Sequence, residues 1–304
     1  MPSADDRDRP IGADEVLDGR FALESTLGDD SIAEVWRATD LQLDRTVIVR
    51  CLHKRLLDDE AVVERFRLEA LAAAQLNHGH VANVFDVAVR DGLAYTVGEY
   101  VDGPSLARLM EDGPLSPSVV AAVGHQAGLG LAAAHEAGIV HRDVRPGNLL
   151  IGRDGRVRVV DFGSARIPDF ANDRYDDGAT RSETYLAPEQ LASDPVGTDR
   201  SDVYALGRTL LRALNGPEGN GQVPESMIGR VMEAIPGLPL GTSLHDQLRE
   251  QLTAVTDPDP AQRPSAGELA AALHAFYDRR ADEVLRTLVG RLPATDYGRR
   301  PLRG

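Results

Sequence analysis

The sequence predicts an α+β protein with a small antiparallel β lobe of five strands and one helix, followed by a larger, mainly helical lobe. Two observations support this fold class. Strand-forming segments separated by turn residues fill the chain up to about residue 100, and helical periodicity dominates after it. A chain of 304 residues is also long enough to bury the cores of both lobes.

The small lobe is predicted from its alternating apolar pattern. Apolar residues recur at helical spacing among Glu and Arg over residues 58–76, which predicts one amphipathic helix within the lobe. The predicted strands are residues 21–27, 33–39, 46–52, 81–89 and 93–100. Turn-forming Gly, Asp and Gln-Leu-Asp segments separate the first three strands, which therefore form a meander.

The large lobe is predicted to be helical over residues 117–137, 202–215, 243–256 and 266–277, with short strands at 149–151 and 157–160. These elements divide the chain into a flexible acidic segment (1–16), one domain (17–278, with lobes 17–101 and 102–278) and an arginine-rich tail (279–304). The tail has apolar residues at roughly helical spacing. It is either a docking helix or, as charged helix ends more often are, a solvated helix packed loosely on the large lobe.

The charge balance limits the classes of partner. With 33 basic and 48 acidic residues the net charge is −15, which argues against nucleic acid and anionic lipid and favours protein partners. The longest apolar stretch, residues 119–140, is interrupted by two histidines and a glutamine, so no membrane segment is predicted. The single cysteine, Cys51, and the absence of a signal-peptide pattern indicate a cytoplasmic location. Nothing in the sequence indicates an oligomeric state.

Three ordered motifs carry the chemistry: HRDVRPGN at residues 141–148, DFG at 161–163 and APE at 187–189. Phosphoryl transfer needs a carboxylate that orients the substrate hydroxyl and accepts its proton, and oxygen ligands that hold Mg²⁺ against the phosphates. Asp143 fits the first role, and Asn148 with Asp161 fit the second. Three such motifs in this order are not a realistic accident.

On these motifs the chain resembles the bacterial eukaryotic-like serine/threonine protein kinases over about residues 17–277. The resemblance extends to the helix carrying Glu69, the hinge at 99–103, the segment 201–207 with Asp202, and Arg263, which the family pairs with Glu189. It implies a bilobal kinase fold, ATP and Mg²⁺ as cofactors, and phosphoryl transfer to protein serine or threonine.

The resemblance also implies which residues hold the nucleotide. Arg145 replaces the family's catalytic-loop lysine and would contact phosphate or substrate, beside Asp143 and Asn148. The implied ATP-binding residues are Gly28, Val35, Ile48, Arg50, Glu69, Glu99, Val101, Leu150 and Asp161.

The loop over the phosphates departs from the family pattern. Where the family has several glycines, residues 28–35 read GDDSIAEV, so only Gly28 remains. Glycine lets backbone N–H groups approach phosphates closely, whereas Asp29 and Asp30 add negative charge that opposes a triphosphate. The alternative is a solvated turn whose aspartates point outward.

The third strand of the family pattern departs as well. Arg50 stands in place of the lysine that bridges the phosphates and the Glu69 carboxylate, and its forked guanidinium could pair with Glu69 without reaching the phosphates. Ile48 replaces an alanine and would press into the adenine space beside Val35 and Leu150. Gly98 takes the place of a larger residue, so the rear of the cleft should be open. Simple repacking is the alternative for both.

One lysine and 32 arginines make up the basic residues, so a general bias toward arginine explains how the change at Arg50 arose but not whether it is harmless. Lys54, beyond the strand, is a weak candidate to replace it.

The activation segment between the DFG and APE motifs carries Thr180, Ser182 and Thr184, and a phosphate on one of them could order the segment through Arg142. Asp173, Asp176 and Asp177 could instead order it constitutively.

Two hypotheses follow from the sequence. The first is a serine/threonine kinase homologue with weak or conditional ATP-dependent phosphoryl transfer, in which Arg50 and Glu69 form an altered ion pair. The second is a catalytically inactive pseudokinase that acts as a protein-binding regulatory or scaffold module. Retention of Asp143, Asn148 and Asp161 favours the first, and the changes around Arg50 and Ile48 favour the second.

Overall fold

The computed structural model of the chain describes residues 12–29, 32–90, 92–162, 184–192, 197–216, 243–277, 279–290 and 292. Asp30, Gly163, Thr180 and Ser182, which the sequence analysis singled out, lie outside these residues, as do Asp173, Asp176 and Asp177.

The small lobe is one antiparallel sheet with strand order β1-β2-β3-β4-β6-β5. Its strands are β1 (Val16–Leu17), β2 (Phe21–Asp29), β3 (Ala33–Asp40), β4 (Arg45–Leu52), β5 (Val84–Arg90) and β6 (Leu93–Glu99). The sheet therefore has six strands, and the predicted number of five is wrong. The additional strand, β1, has two residues and is too short to show an alternating pattern.

The alternation of side chains along β4 determines which of them face the cleft between the lobes. Val47 and Val49 join a buried cluster with Trp36 and Tyr95 on one side of the sheet, whereas Ile48 and Arg50 line the cleft between the lobes. Successive side chains of a strand point to opposite faces, so the two substituted positions both face the site.

One helix, α1 (Glu60–Ala73), packs against β5 in this lobe. Asp59 caps it, because its carboxylate accepts hydrogen bonds from the backbone N–H groups of Ala61 and Val62. The helix carries Glu69 toward the cleft.

The large lobe is mainly helical, as predicted. Its helices are α2 (Leu106–Leu109), α3 (Pro117–Glu136), α4 (Asp199–Asn215), α5 (Leu244–Val255), α6 (Ala266–His274) and α7 (Arg279–Gly290), with a hairpin of β7 (Leu149–Ile151) and β8 (Val157–Val159). Helix α3 is the core of the lobe and approaches α6 closely at Gly128, where an added Cβ would lie 3.0 Å from the Cβ of Ala270. Glycine is required there by space, not by backbone conformation.

The tail begins with a helix that is firmly docked. Ala281, Leu285 and Val289 on α7 are at most 2% exposed and belong to the large-lobe core. The Nε of Arg286 also donates a 3.1 Å hydrogen bond to the carbonyl oxygen of Asp154 in the β7–β8 turn. These contacts hold residues 279–290 against the large lobe. Across the described ranges, no helix combines the length and apolar content needed to cross a membrane.

Candidate active site

The catalytic loop is anchored by a carboxylate that is completely buried. Asp202, near the start of α4, accepts backbone N–H hydrogen bonds from His141 (2.8 Å) and Arg142 (2.7 Å), and lies 2.8 Å from Nε2 of His135. Arg142 has a φ of 67°, a left-handed conformation that non-glycine residues rarely adopt. The two bonds to Asp202 hold the loop in this conformation.

His141 connects this loop to the DFG motif. Its Nδ1 accepts a 3.2 Å hydrogen bond from the N–H of Asp143, so its Nε2 donates to the carbonyl oxygen of Val160 at 2.8 Å. Its ring lies against Phe162, with 4.6 Å between ring centroids. Together these contacts fix the backbone on both sides of Asp161, whose own φ is also 67°.

The candidate base, Asp143, is oriented by two neighbours. Its Oδ2 accepts hydrogen bonds from Nε of Arg145 (2.9 Å) and from Nδ2 of Asn148 (3.0 Å). The same Nδ2 donates to the Asp143 carbonyl oxygen at 2.8 Å, so the amide oxygen of Asn148 is the atom left to bind a cation. The structure thus brings together the three catalytic residues that the sequence predicted.

Arg50 forms an ion pair with Asp161, a contact that crosses the cleft from β4 to the DFG motif. Both side chains are about four-fifths buried, with 20% and 17% exposure. The guanidinium therefore lies on the carboxylate that the resemblance assigns to Mg²⁺. The arginine side chain is longer than that of lysine and ends in a forked set of donors, so it can reach across the cleft to Asp161.

Glu69 pairs with Arg65, not with Arg50 as expected. Nε of Arg65 donates a 2.9 Å hydrogen bond to Oε1 of Glu69 from four residues earlier on the same helix. Burial raises the pKa of the Glu69 carboxyl, and the charges of Arg65, Arg142 and Arg50 offset this only in part. The expected Arg50–Glu69 pair is thus replaced, in the described part of the chain, by two separate pairs.

Most of the predicted ATP-binding residues line one cleft between the lobes. Those that do are Gly28, Val35, Ile48, Arg50, Glu69, Glu99 and Asp161, and the predicted catalytic residues Arg145 and Asn148 line the same cleft. Val101 and Leu150 are different, because their side chains are buried in a cluster with Val160 and do not belong to the lining that the structure describes. Lys54, in a short turn after β4, is also not among the described lining residues.

The rear of the cleft is shaped by small residues. Gly98 lines it opposite α1, whose Phe66, Ala70 and Ala73 form the far wall. An added Cβ on Gly98 would lie 3.1 Å from the carbonyl oxygen of Asn83, so a larger residue would need the backbone to shift. Ile48, at 7% exposure, supplies apolar surface on the β4 side.

Glu99, at the hinge, has a structural partner of its own. Its Oε1 lies 2.8 Å from Nε of Arg158 on β8, and its Oε2 accepts a 3.1 Å hydrogen bond from Nδ2 of Asn83. These contacts tie the end of β6 to the large lobe. Only backbone groups of Glu99 would then be available to a nucleotide base.

In the loop over the cleft, Gly28 pairs with Val35 and Asp29 pairs with Glu34 across the β2–β3 hairpin. The Asp29 carboxylate lies 3.0 Å from Nε2 of His53 and borders the cleft, although the side chain is 68% exposed. Asp29 therefore adds negative charge at the mouth of the site, as the sequence suggested.

The pairing of Glu189 with Arg263 is confirmed. The two Arg263 terminal nitrogens donate hydrogen bonds of 2.6 and 2.9 Å to the two carboxylate oxygens, and the arginine side chain is completely buried. Burial disfavours the Glu189 charge, but hydrogen bonds from Arg263 and Ser201 outweigh it and lower the Glu189 pKa. This pair holds the APE segment to the large lobe.

Sequence reasoning missed the partners of the altered residues. Arg65 lies four residues before Glu69 on a predicted helix, and this spacing was the signal that could have identified it. Tyr185 near the end of the activation segment, and Arg208 and Arg212 on α4, which contact this segment, were also missed. Of the predicted regulatory residues, Arg142 and Thr184 are described, and both are exposed.

A two-lobed fold with a base-bearing loop and a DFG carboxylate in the cleft defines the class of phosphotransferases, and comparison with known proteins makes this specific. The family model for the protein kinase domain matches residues 21–275. PknB of Mycobacterium tuberculosis is 35% identical over 285 residues, covering 90% of this chain and 45% of PknB. A probable serine/threonine-protein kinase of Clostridium perfringens is 32% identical over 253 residues, covering 82% of this chain and 37% of that relative.

Solved structures agree. The kinase domain of M. tuberculosis PknI superposes with a TM-score of 0.64 at 25% identity, covering 88% of this chain and 100% of that structure. The chain therefore belongs to the bacterial eukaryotic-like serine/threonine protein kinase family and has its fold. It spans between about a third and a half of the length of these curated relatives.

Proposed function

We propose that the chain transfers the terminal phosphoryl group of ATP to serine or threonine hydroxyls of proteins, and that this activity requires Arg50 to leave Asp161. The observation that supports it is the assembled catalytic loop: Asp143 is oriented by Arg145 and Asn148, and the loop backbone is anchored on buried Asp202. These hydrogen bonds place a candidate base and a candidate cation ligand side by side, as phosphoryl transfer requires.

Each residue has a role in the proposed reaction. Asp143 orients the substrate hydroxyl and accepts its proton, and Arg145 holds that carboxylate in place through its hydrogen bond. Asn148 and Asp161 present amide and carboxylate oxygens, the donors that Mg²⁺ prefers, so the residues fit this ion. When bound, Mg²⁺ supplies charge neutralisation between the phosphate groups.

The condition on activity comes from the Arg50–Asp161 pair. A guanidinium on Asp161 competes with a divalent cation for the same carboxylate. Release of Arg50 would return Asp161 to the cation and place a positive charge near the phosphates, where the family uses lysine. Because both side chains are only partly buried, this exchange of partners has a moderate cost.

The second candidate function is a pseudokinase that binds regulatory protein partners. The observation that favours it is the same Arg50–Asp161 pair, together with Ile48 on the cleft wall. In this case the guanidinium is a permanent internal substitute for the cation, and Ile48 fills space that adenine would occupy.

Thermal unfolding of the whole chain, measured with increasing MgATP, separates the two functions. Binding to the native state must raise the melting temperature by mass action, by an amount that grows with the logarithm of ligand concentration. Stabilisation by MgATP, with phosphate transfer to a protein acceptor that Asp143→Asn abolishes while retaining the stabilisation, supports the kinase. No stabilisation at millimolar MgATP would overturn it.

A further inference from the structure

Two arginines on α4 contact the end of the activation segment, just before the APE motif. The Cζ of Arg212 lies 6.0 Å from the centre of the Tyr185 ring, and Nε of Arg208 donates a 3.4 Å hydrogen bond to the carbonyl oxygen of Thr184. Arg208 and Arg212 are four residues apart on the helix, so their side chains lie on the same face. They form one positively charged surface beside Thr184 and Tyr185.

This surface is connected to the catalytic base. Burial raises the pKa of the Tyr185 phenol, and the charges of Arg212, Arg145 and Arg208 act against that rise. Arg145 is the residue that donates to the Asp143 carboxylate. The arginine that orients the candidate base therefore also acts on the charge of the Tyr185 phenol.

The two helix arginines have no acidic partner of their own in the described part of the chain. Within those residues, neither Arg208 nor Arg212 lies within ion-pair distance of a carboxylate, although the chain carries 15 more acidic than basic residues. Most other described arginines near the cleft, such as Arg50, Arg65 and Arg158, do form such pairs. Guanidinium groups left without carboxylates present planar sets of donors to an incoming anion.

We propose that Arg208 and Arg212, which contact Thr184 and Tyr185, bind an anionic side chain of the protein substrate near the serine or threonine presented to Asp143. The inference rests on the proposed function and names its substrate class, which is acidic or already phosphorylated sequences. A guanidinium binds carboxylate and phosphate with the same donor geometry, so both anions fit. The same charges repel basic segments, which gives selectivity in both directions.

Peptide binding, measured without catalysis, tests this site. Short fluorescent peptides with one serine flanked by Glu, Gln, Arg or phosphoserine are titrated into the Asp143→Asn chain and followed by anisotropy at low and high salt. We expect the Glu and phosphoserine peptides to bind about tenfold more tightly than the Gln peptide, and the Arg peptide to bind most weakly. The Glu and phosphoserine arms show which of the two anions is preferred.

Charge reversal assigns the effect to these residues. Arg212→Glu and Arg208→Glu should remove the preference for Glu over Gln and improve binding of the Arg peptide. Arg67→Glu, an equal change of charge at a partly exposed position of α1, should leave the preference unchanged. Each variant is first checked for an unchanged melting temperature, so that loss of fold is not read as loss of binding.

The possible outcomes separate this inference from the proposed function. Binding that is equal for all peptides, absent for all of them, or equally charge-selective in Arg212→Glu would overturn the anion site. Phosphoryl transfer by the wild-type chain with no charge preference would overturn the anion site alone. Charge-selective binding without any transfer by the wild-type chain would overturn the proposed kinase activity and leave the anion site standing.

Discussion

The two sides of the cleft hold their charged residues in different ways. On the large-lobe side, the Asp202 carboxylate is fully buried and contacts two backbone N–H groups and His135. On the small-lobe side, Glu69 and Arg50 have partners other than each other, and all four side chains in their two pairs keep 17–34% exposure. The first arrangement is costly to change, and the second can exchange partners.

This difference separates a fixed part of the site from an exchangeable part. A buried carboxylate that loses its donors remains desolvated without compensation, so the backbone around it tolerates few alternatives. A partly exposed ion pair contributes little net stability, because water screens it and can replace either partner. The base-bearing loop is therefore a fixed part of the site, whereas the residues that would grip ATP are a set of exchangeable pairs.

The largest expected effect is on stability and comes from Asp202. In Asp202→Ala the N–H groups of His141 and Arg142 and the ring of His135 lose their acceptor, which should cost about 4 kcal/mol in the free energy of unfolding. Urea denaturation measures it. Asp199→Ala, a half-exposed carboxylate on the same helix, should cost less than about 1 kcal/mol. Similar losses for the two variants would show that the loop is not anchored as described.

A second contact of the large lobe, between Glu189 and the completely buried Arg263, should show a defined pH dependence. The folded-state pKa of Glu189 is below its ordinary value of 4.5, so the unfolded chain binds more protons as the solution is acidified. The stabilisation that the Glu189 carboxylate contributes is fully present at pH values above the ordinary pKa. It is lost as the pH falls through that pKa toward the lower pKa of the folded state. We expect Glu189→Gln to cost about 2 kcal/mol at neutral pH.

The difference in the free energy of unfolding between Glu189→Gln and the wild-type chain should become smaller on acidification. The reason is that protonated Glu189 and Gln are both uncharged. Urea unfolding at several pH values gives the difference at each. A gap that stayed constant between neutral and acidic pH would mean that the carboxylate charge contributes nothing to this contact.

On the small-lobe side the expected effect is on activity. Arg50→Lys shortens the side chain and replaces the fork by a compact ammonium, so the Asp161 contact weakens and the carboxylate becomes available to Mg²⁺. Phosphoryl transfer should rise about tenfold, corresponding to about 1.4 kcal/mol of transition-state stabilisation.

Arg55→Lys, an equivalent change at an exposed arginine outside the described cleft lining, is the matched control and should have no effect. Unchanged activity in Arg50→Lys, with binding of MgATP retained, would contradict the role given to this ion pair.

The contrast between the two sides also explains what the sequence could predict. The loop residues Asp143 and Asn148 and the pairing of Glu189 with Arg263 follow from motifs whose spacing fixes their geometry, and the structure places each as expected. The fold class could be predicted because strand-forming segments fill the chain up to about residue 100 and helical periodicity dominates after it. The strand count was not, because β1 has two residues and its pairing with β2 leaves no periodic signal.

The ion-pair partners of the charged residues in the cleft were harder to predict than the location of these residues in the fold. The sequence placed Arg50 and Glu69 correctly, on a strand and a helix that face the site, but it could not show which of several nearby charges each would contact. Asp161 is 111 residues from Arg50, and only the closed tertiary structure brings the two together. Val101 and Leu150 illustrate the same limit, since apolar residues near a site can line it or be buried beside it.

The smallest expected effect comes from the pair within α1. Arg65→Ala removes a contact between residues four apart on a helix, which should cost about 0.5 kcal/mol in the free energy of unfolding at neutral pH.

The pair should also affect how stability depends on pH. The Glu69 carboxyl already has a raised pKa, so its ionisation opposes folding. Stability is greatest below the ordinary pKa of this carboxyl and falls as pH rises through the higher pKa of the folded state. Without Arg65 this fall should become steeper, whereas Glu69→Gln in the same background should abolish it, because an amide does not ionise. Urea unfolding of the two single variants and the double variant across this pH range measures the coupling. If the Arg65→Ala chain kept the wild-type pH dependence, Arg65 would not be the counterion of Glu69, and the exchange of partners on the small-lobe side would need another explanation.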